Sequence, residues 1–440
     1  MSEDSASAAK SAPAPAPLLT VAQALERLLA AADGQPATES LPLEHALGRV
    51  LAQDIVSAID VPPWDSSAMD GYAVRAADYA TAATIATAPA ETAAPAPNTA
   101  FLPITLRVAA GATPSALAPG GVARIFTGAA VPAGADTIVP QEQAQLADGR
   151  VAFTALPAPG EWINRRGADI AAGATLLSAG VRLGAAALGL AASVGVPRVS
   201  VARRPRVAML FTGNELTRPG EPLRPGGIYN SNRYTLGALL ANAGCDVDDC
   251  GIVADNLAAT RAALENAAAD HDLVLSCGGV SVGEEDHVRP AVEACGRLDL
   301  WRIAVKPGKP LAFGALRRRA AAPTDDPAAT CHFIGLPGNP VSSFVTFLLF
   351  VRPFLLRLQG VRELAPQALW VRADFEQRKP DARHEFLRAR LNAEGGLDLF
   401  ANQSSAVLTS AVWADGLIDN PPGHRITQGE LVRFLPFGGF

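Results

Sequence analysis

Apolar residues recur at helical spacing early in the chain: Ala22, Leu25, Leu28 and Leu29 follow Thr20, which is placed to cap a helix. Between residues 76 and 120 the pattern turns to short runs rich in Ala, Thr and Pro. Pieces such as "AFLPITLRVAAG" and "GGVARIFTGAAV" are bounded by Gly or Pro and predict a small β-rich module. From residue 205 the pattern changes again. "PRVAMLFTGNEL" reads as a buried strand ending in a polar loop. "NSNRYTLGALLANAG" then puts Leu236, Leu239, Leu240 and Ala243 on one helical face and stops at Gly244. "DVDDCGIVADN" predicts a second strand, with Asp255-Asn256 capping a helix over 257–269. "DLVLSCGG" predicts a third, followed by a helix that buries Val288, Ala291, Val292 and Cys295. "LDLWRIAVKPGKP" and "CHFIGLPGNP" predict two more strands. Asn339 is placed to cap, and Pro340 to open, a long apolar helix over 341–351. Strand and helix alternate throughout this region, which predicts a doubly wound parallel α/β sheet with helices on both faces. After residue 361 the alternation stops, and "ALWVRADF", "HEFLRARL" and "ELVRFLPF" predict a small β-barrel or sandwich.

Composition narrows the class. The 440 residues are enough for several domains, and 49% hydrophobic with 18% charged residues describes a globular protein. A net charge of -6 argues against nucleic acid as a partner, so an anionic ligand has to be held locally by a loop, a few cations or a metal ion. Residues 1–17 are rich in Ser, Ala and Pro without an apolar core, which predicts a disordered leader and no signal peptide. The apolar stretch 183–197 is broken by glycine and too short to span a membrane. Cys245, Cys250, Cys277, Cys295 and Cys331 include no CxxC pair, so reduced thiols in a cytoplasmic protein are expected.

Ligands of an open α/β sheet bind beyond the carboxyl ends of its strands, and each predicted strand end carries a polar cluster. Thr212 to Glu215 is the first and Asp255 the second. Gly278-Gly279-Val280-Ser281-Val282-Gly283, with Glu284, Glu285 and Asp286 after it, is the third. Lys306-Pro307-Gly308-Lys309 and Gly335 to Pro340 complete the set. The glycines admit an anion to backbone N–H groups, and the following helix N-terminus favours it. Carboxylates beside phosphate need a cation between them, and Mg²⁺ binds through one or two carboxylates plus phosphate oxygens. Glu215, Asp255 and Asp286 are therefore candidate Mg²⁺ ligands, with Lys306 and Lys309 on the anion's other side. The chemistry expected is phosphoanhydride cleavage or transfer. Singly, each cluster has a plainer explanation: Glu284 and Glu285 as first-turn helix acids, Asp255 as an N-cap.

These motifs resemble a known family. "VPPWDSSAMDGYAVR" at 61–75 is similar to the signature of the molybdopterin molybdenumtransferases, the bacterial MoeA and gephyrin E-domain family. "RIFTGAAVPAGADTIVPQEQ", "INRRGADI", "FTGNEL", "GGVSVGEED", "AVKPGKPLAFG" and "GLPGNPVSS" follow in the family's order. The resemblance implies that adenylylated molybdopterin and molybdate are substrates, and that a divalent ion such as Mg²⁺ assists hydrolysis of the adenylate. The products are molybdenum cofactor and AMP. Catalytic roles carry over to Asp70, Thr127, Glu215, Asp255 and Asp286. Substrate-binding roles carry over to Gly278, Gly279, Ser281, Gly283, Lys306, Lys309, Pro337, Asn339 and Pro340, and to Arg383 and Ser405 near the C-terminus.

The family's architecture implies a helical and extended first domain over 18–55 and 165–203, interrupted by a β-rich domain over 56–164. An α/β domain over 204–360 and a β-barrel over 361–440 follow. It also implies a homodimer whose active site is shared between chains, with a molybdopterin adenylyltransferase as upstream partner. Three positions depart from the family's pattern: Asn214, Asn230 and Ala168 stand where carboxylates are common. A tungstate-preferring paralogue and a non-catalytic molybdopterin-binding scaffold are the alternatives.

Overall fold

The structure is a computed structural model that describes residues 18–79, 101–155, 157–279, 287–318 and 330–440, with backbone alone at Leu300 and Trp301. The expected leader lies outside the described residues.

Its centre is a six-stranded sheet. The strands are β1 (Arg206–Thr212), β2 (Asp246–Val253), β3 (Leu273–Cys277), β4 (Gly296–Arg302), β5 (Pro310–Arg317) and β6 (Thr330–Leu336), in spatial order β2-β1-β3-β6-β5-β4. Alternate residues of β1 face opposite sides. Val207, Met209 and Phe211 pack with helix α1 (Ser231–Asn242) and the helix that begins at Pro340. Ala208 and Leu210 pack with α2 (Leu257–Asp270) and α3 (Val288–Cys295). The sheet is thus doubly wound, as the alternation predicts.

It is not wholly parallel. β2, β1, β3 and β6 are parallel, whereas β5 runs antiparallel to both β6 and β4. Residues 303–309 join β4 to β5, too short a link for a helical crossover, so the pair can only be antiparallel. Because β4 therefore runs in the direction of β6, the Lys306–Lys309 turn still emerges at the ligand-binding rim. Val305–Lys306 leaves this sheet altogether and pairs in parallel with His384–Leu391 of the C-terminal sheet.

The apolar helix expected over 341–351 extends further. Pro340–Thr346 passes through a π-helical turn, Phe347–Val351, into Arg352–Leu358. Pro353 lacks an N–H and would leave a carbonyl one turn back unpaired; the wider turn before it absorbs that mismatch. This helix, not 183–197, is long and apolar enough to cross a membrane, but 72% of its apolar window is buried inside the fold. Phe347, Phe350 and Phe354 are fully buried there, each burial contributing about 1.5–3 kcal/mol.

The remaining units flank this sheet. Helix Val21–Ala31 opens with a capping box between Thr20 and Gln23 and buries Ala24 and Leu28 against the main core; Ala22 is exposed. Thr38–Pro42 pairs with Arg198–Ala202, so segments on either side of the β-rich region meet. That region is a second six-stranded sheet running Thr137–Pro140, Gly71–Val74, Val122–Ile125, Leu102–Val108, Arg150–Phe153, Ala144–Ala147. The C-terminal sheet runs from Val305–Lys306 through His384–Leu391, Gly416–Asn420 and Leu431–Pro436 to Leu369–Arg372.

Candidate active site

A cavity of about 1020 Å³ lies between the carboxyl rim of the central sheet and the C-terminal sheet. β1 brings Glu215 to its wall, β3 brings Gly278 and Gly279, and the β4–β5 turn brings Lys306 and Lys309. Pro337, Asn339 and Pro340 come from the end of β6, and Arg383 and Ser405 from the C-terminal sheet. Ten residues that the sequence scattered over distant motifs thus line one cavity.

The glycines allow that closeness. A Cβ on Gly278 (φ +93) would stand 2.9 Å from the Thr212 carbonyl oxygen, and one on Gly279 (φ +64) 2.5 Å from Val288 Cγ2. Gly308 (φ +112) presses its turn against the long helix, where a Cβ would come within 2.3 Å of Thr346 Oγ1. Asn339 stands before that helix without capping it through its side chain. Instead its amide donates to Ser405 Oγ at 3.2 Å, and the helix's first free N–H, that of Val341, donates to the Ser405 carbonyl at 2.9 Å. Ser405 therefore ties the C-terminal sheet to the helix N-terminus. Asn256 alone supplies the side-chain cap expected of Asp255-Asn256.

The cations differ in their commitments. Lys306 Nζ donates to Glu385 Oε1 at 2.9 Å and lies 3.1 Å from Asp381 Oδ2; Glu385 is only 1% exposed. Burial alone would push the Lys306 ammonium down, but its bonds to Glu385 and Asp381 outweigh that and hold its pKa above the usual lysine value. Arg383 grips Asp381 with Nε and Nη2, each at 3.0 Å. That grip holds the Asp381 carboxyl well below the usual range against its partial burial. Lys309 has no side-chain partner among the described residues and is the uncommitted cation of the wall. Sequence reading missed Asp381 and Glu385. Their only signal is the acidic company of Arg383 in "DARHE".

Glu215 is the one carboxylate on this wall among the described residues. Its two carboxylate oxygens lie 2.6 Å from where a Cβ on Gly213 would stand, so only glycine leaves it room. Asp255 does not line the cavity, and Ser281, Gly283 and Asp286 lie outside the described residues. No group of three His, Cys, Asp or Glu able to hold a metal occurs among the described residues. One carboxylate fits Mg²⁺ that arrives with phosphate oxygens and keeps its waters; it does not fit a metal held by protein alone. Cys277 offers no thiolate, since burial pushes its pKa up to about 12.

Asp70 and Thr127 form a separate cluster in the β-rich sheet, off this cavity's wall. Asp70 Oδ1 accepts from the Thr127 N–H at 2.8 Å and from Thr127 Oγ1 at 2.7 Å. Those two bonds hold the Asp70 carboxyl below its usual pKa.

Comparison with known proteins decides the family. "MoeA N-terminal region (domain I and II)" matches residues 19–195, "Probable molybdopterin binding domain" residues 208–357, and "MoeA C-terminal region (domain IV)" residues 371–437. A molybdopterin molybdenumtransferase of Haemophilus influenzae is 36% identical over 428 residues, 96% of this chain and 99% of that protein. The chain belongs to the molybdopterin molybdenumtransferase family. A family member from Nostoc is 38% identical over 92% of this chain and 89% of its own length. A Pyrococcus horikoshii MoeA structure superposes with a TM-score of 0.76 at 30% identity, covering 96% of this chain and all of that one. Membership of this family of transferases agrees with the sequence reading of both motifs and fold.

Proposed function

We propose that the chain inserts molybdenum from molybdate into adenylylated molybdopterin, releasing AMP and molybdenum cofactor, in the cavity between the central and C-terminal sheets. The observation that carries this reading is the meeting of the glycine turn, Lys309, Arg383 and Glu215 on one wall. The Gly278 N–H donates to the Leu336 carbonyl at 3.1 Å and fixes the turn, while the absence of a Cβ on Gly278 and Gly279 leaves the Gly279 N–H open to the approach of a phosphate. Lys309 supplies an uncommitted positive charge for a tetrahedral oxyanion, while Lys306 and Arg383 are held in place by Asp381 and Glu385. Glu215, with Asp286 as its candidate companion, would hold Mg²⁺ against the phosphates. That ion would neutralise charge on the phosphoanhydride as it breaks.

The cavity reading leaves Asp70 and Thr127 without a role inside one chain. A homodimer in which the β-rich sheet of one chain docks against the cavity of its partner would give them one. The reading further places the protein in the cytoplasm, downstream of an enzyme that adenylylates molybdopterin. The test is to incubate the purified chain with adenylylated molybdopterin, with and without molybdate and Mg²⁺, and to separate products chromatographically. AMP should appear with both present and be suppressed by EDTA. Persistence of intact adenylylated pterin under all conditions would reject the activity and leave the scaffold reading.

A further inference from the structure

One buried charge in the C-terminal sheet lacks a counter-ion. Arg388 is 1% exposed, and no carboxylate pairs with it among the described residues. Neutral oxygens alone hold its guanidinium. Nε donates to Ser410 Oγ at 3.1 Å, Nη1 to the Phe386 carbonyl at 3.3 Å and Nη2 to the Ser404 carbonyl at 3.3 Å. Burial pulls its pKa down to about 10, which still leaves a cation at neutral pH. Charged side chains are seldom buried this far without a partner of opposite sign. Lys306, less buried, has two such partners in Glu385 and Asp381.

The bonds of Arg388 lead to the cavity wall, which Gln403, Ser404 and Ser405 all line. Gln403 is tied to the backbone of Arg388: its Oε1 accepts from the Arg388 N–H at 2.9 Å, and its Nε2 donates to the Arg388 carbonyl at 3.0 Å. Ser405 is engaged at its carbonyl by Val341 and at its hydroxyl oxygen by Asn339, but its N–H has no partner among the described residues. The Ser404–Ser405 peptide is trans, so its C=O and N–H point opposite ways. A guanidinium on the Ser404 carbonyl therefore turns the Ser405 N–H away from Arg388 and polarises it as a donor.

We propose that Arg388 is a positioning residue that works through the Ser404–Ser405 peptide, presenting the Ser405 N–H to an oxyanion whose charge becomes its counter-ion. This deepens, and rests on, the reading of the cavity as a site for molybdate and phosphate. Lys306 and Arg383 commit their charges to Glu385 and Asp381. The charge of Arg388 is not neutralised, and only one peptide separates it from the wall, in surroundings that screen little.

Isothermal titration calorimetry with molybdate tests this on the wild type, Arg388→Met and Arg388→Lys, with thermal melting to confirm that each variant is folded. Arg388→Met removes the charge at similar length and should lose about tenfold or more in molybdate affinity. Arg388→Lys keeps the charge and should recover most of that loss. Hydrogen exchange in the unmutated protein supplies a second reading, in which molybdate should slow exchange across residues 403–406. The proposal is overturned if the wild type does not bind molybdate, if Arg388→Met binds it as tightly as the wild type, or if the two variants lose equally. Exchange over 403–406 that ignores molybdate would overturn it as well, even if neither variant folds. No turnover is read. A chain that binds molybdate through Arg388 yet releases no AMP would lose the transferase reading alone, and full AMP release beside unchanged affinity in Arg388→Met would strike only the role of Arg388.

Discussion

Glu215, Lys306 and Lys309 look alike as sequence, charged residues beside glycines, and the structure separates them. Glu215 is held over Gly213 and is the one carboxylate among the described residues of the cavity wall. Glu215→Gln keeps the shape, so stability should be unchanged while AMP release falls about a hundredfold or more, the scale of losing one preorganised charge at a reacting group. Lys309→Ala should leave thermal stability unchanged and weaken molybdate by about 1.5–3 kcal/mol, the usual worth of a charge-assisted bond, measured by titration. Lys306→Ala should behave differently. It strips the ammonium from Glu385, which is 1% exposed, and so should lower the melting temperature as well. Asp381 adds a pH signature. Its folded pKa is depressed, so its contribution to stability is present above the unfolded value near 3.8 and is lost as pH falls through the lower folded value. Asp381→Asn should therefore lower the melting temperature at neutral pH, with the gap to wild type closing below about pH 4. The Lys306–Glu385 pairing was not legible in the sequence, because the two residues are separated by 79 positions.

At the scale of elements, the unbroken apolar run of β1, buried on both faces from Val207 to Thr212, and the helical spacing in α1 and α3 are local properties, which is why those elements were readable. The antiparallel turn at β5 was not. An edge hairpin and a crossover strand show the same apolar run, and only the short link 303–309 distinguishes them. The extension of the Pro340 helix past its expected end was hidden by Pro353, whose usual effect is to stop a helix and which is here absorbed by a π turn. The strand-end glycines were readable as anion-loop residues, but the structure gives them a second reason. Gly279→Ala should destabilise by about 1–3 kcal/mol in denaturant melts, through its positive φ and its contact with Val288, and should impair AMP release. Unchanged stability would show that this turn is looser than its geometry implies.

Across the whole molecule, the relation that bears on assembly is between Asp70–Thr127 and the cavity. Both motifs belong to the family's pattern, yet the pair does not line the cavity that collects Glu215 and the lysines. Sequence separation says nothing about which chain supplies which residue; the family resemblance alone implies a shared site. A shared site predicts complementation. After subunit exchange, Asp70→Ala chains mixed with Glu215→Gln chains should recover roughly a quarter of wild-type activity, since about half the dimers are mixed and each has one intact cleft. Activity that stays at the parental background, with exchange confirmed, would place both residues in the same cleft.

The central claim is that this cavity couples adenylate cleavage to molybdenum insertion. The direct measurement is the ratio of AMP released to molybdenum bound by pterin when the purified chain turns over adenylylated molybdopterin with molybdate and Mg²⁺. The account predicts that the two products appear together, about one to one, and that both collapse in Glu215→Gln. Molybdenum insertion that proceeds without AMP, or that survives intact in Glu215→Gln, would contradict it.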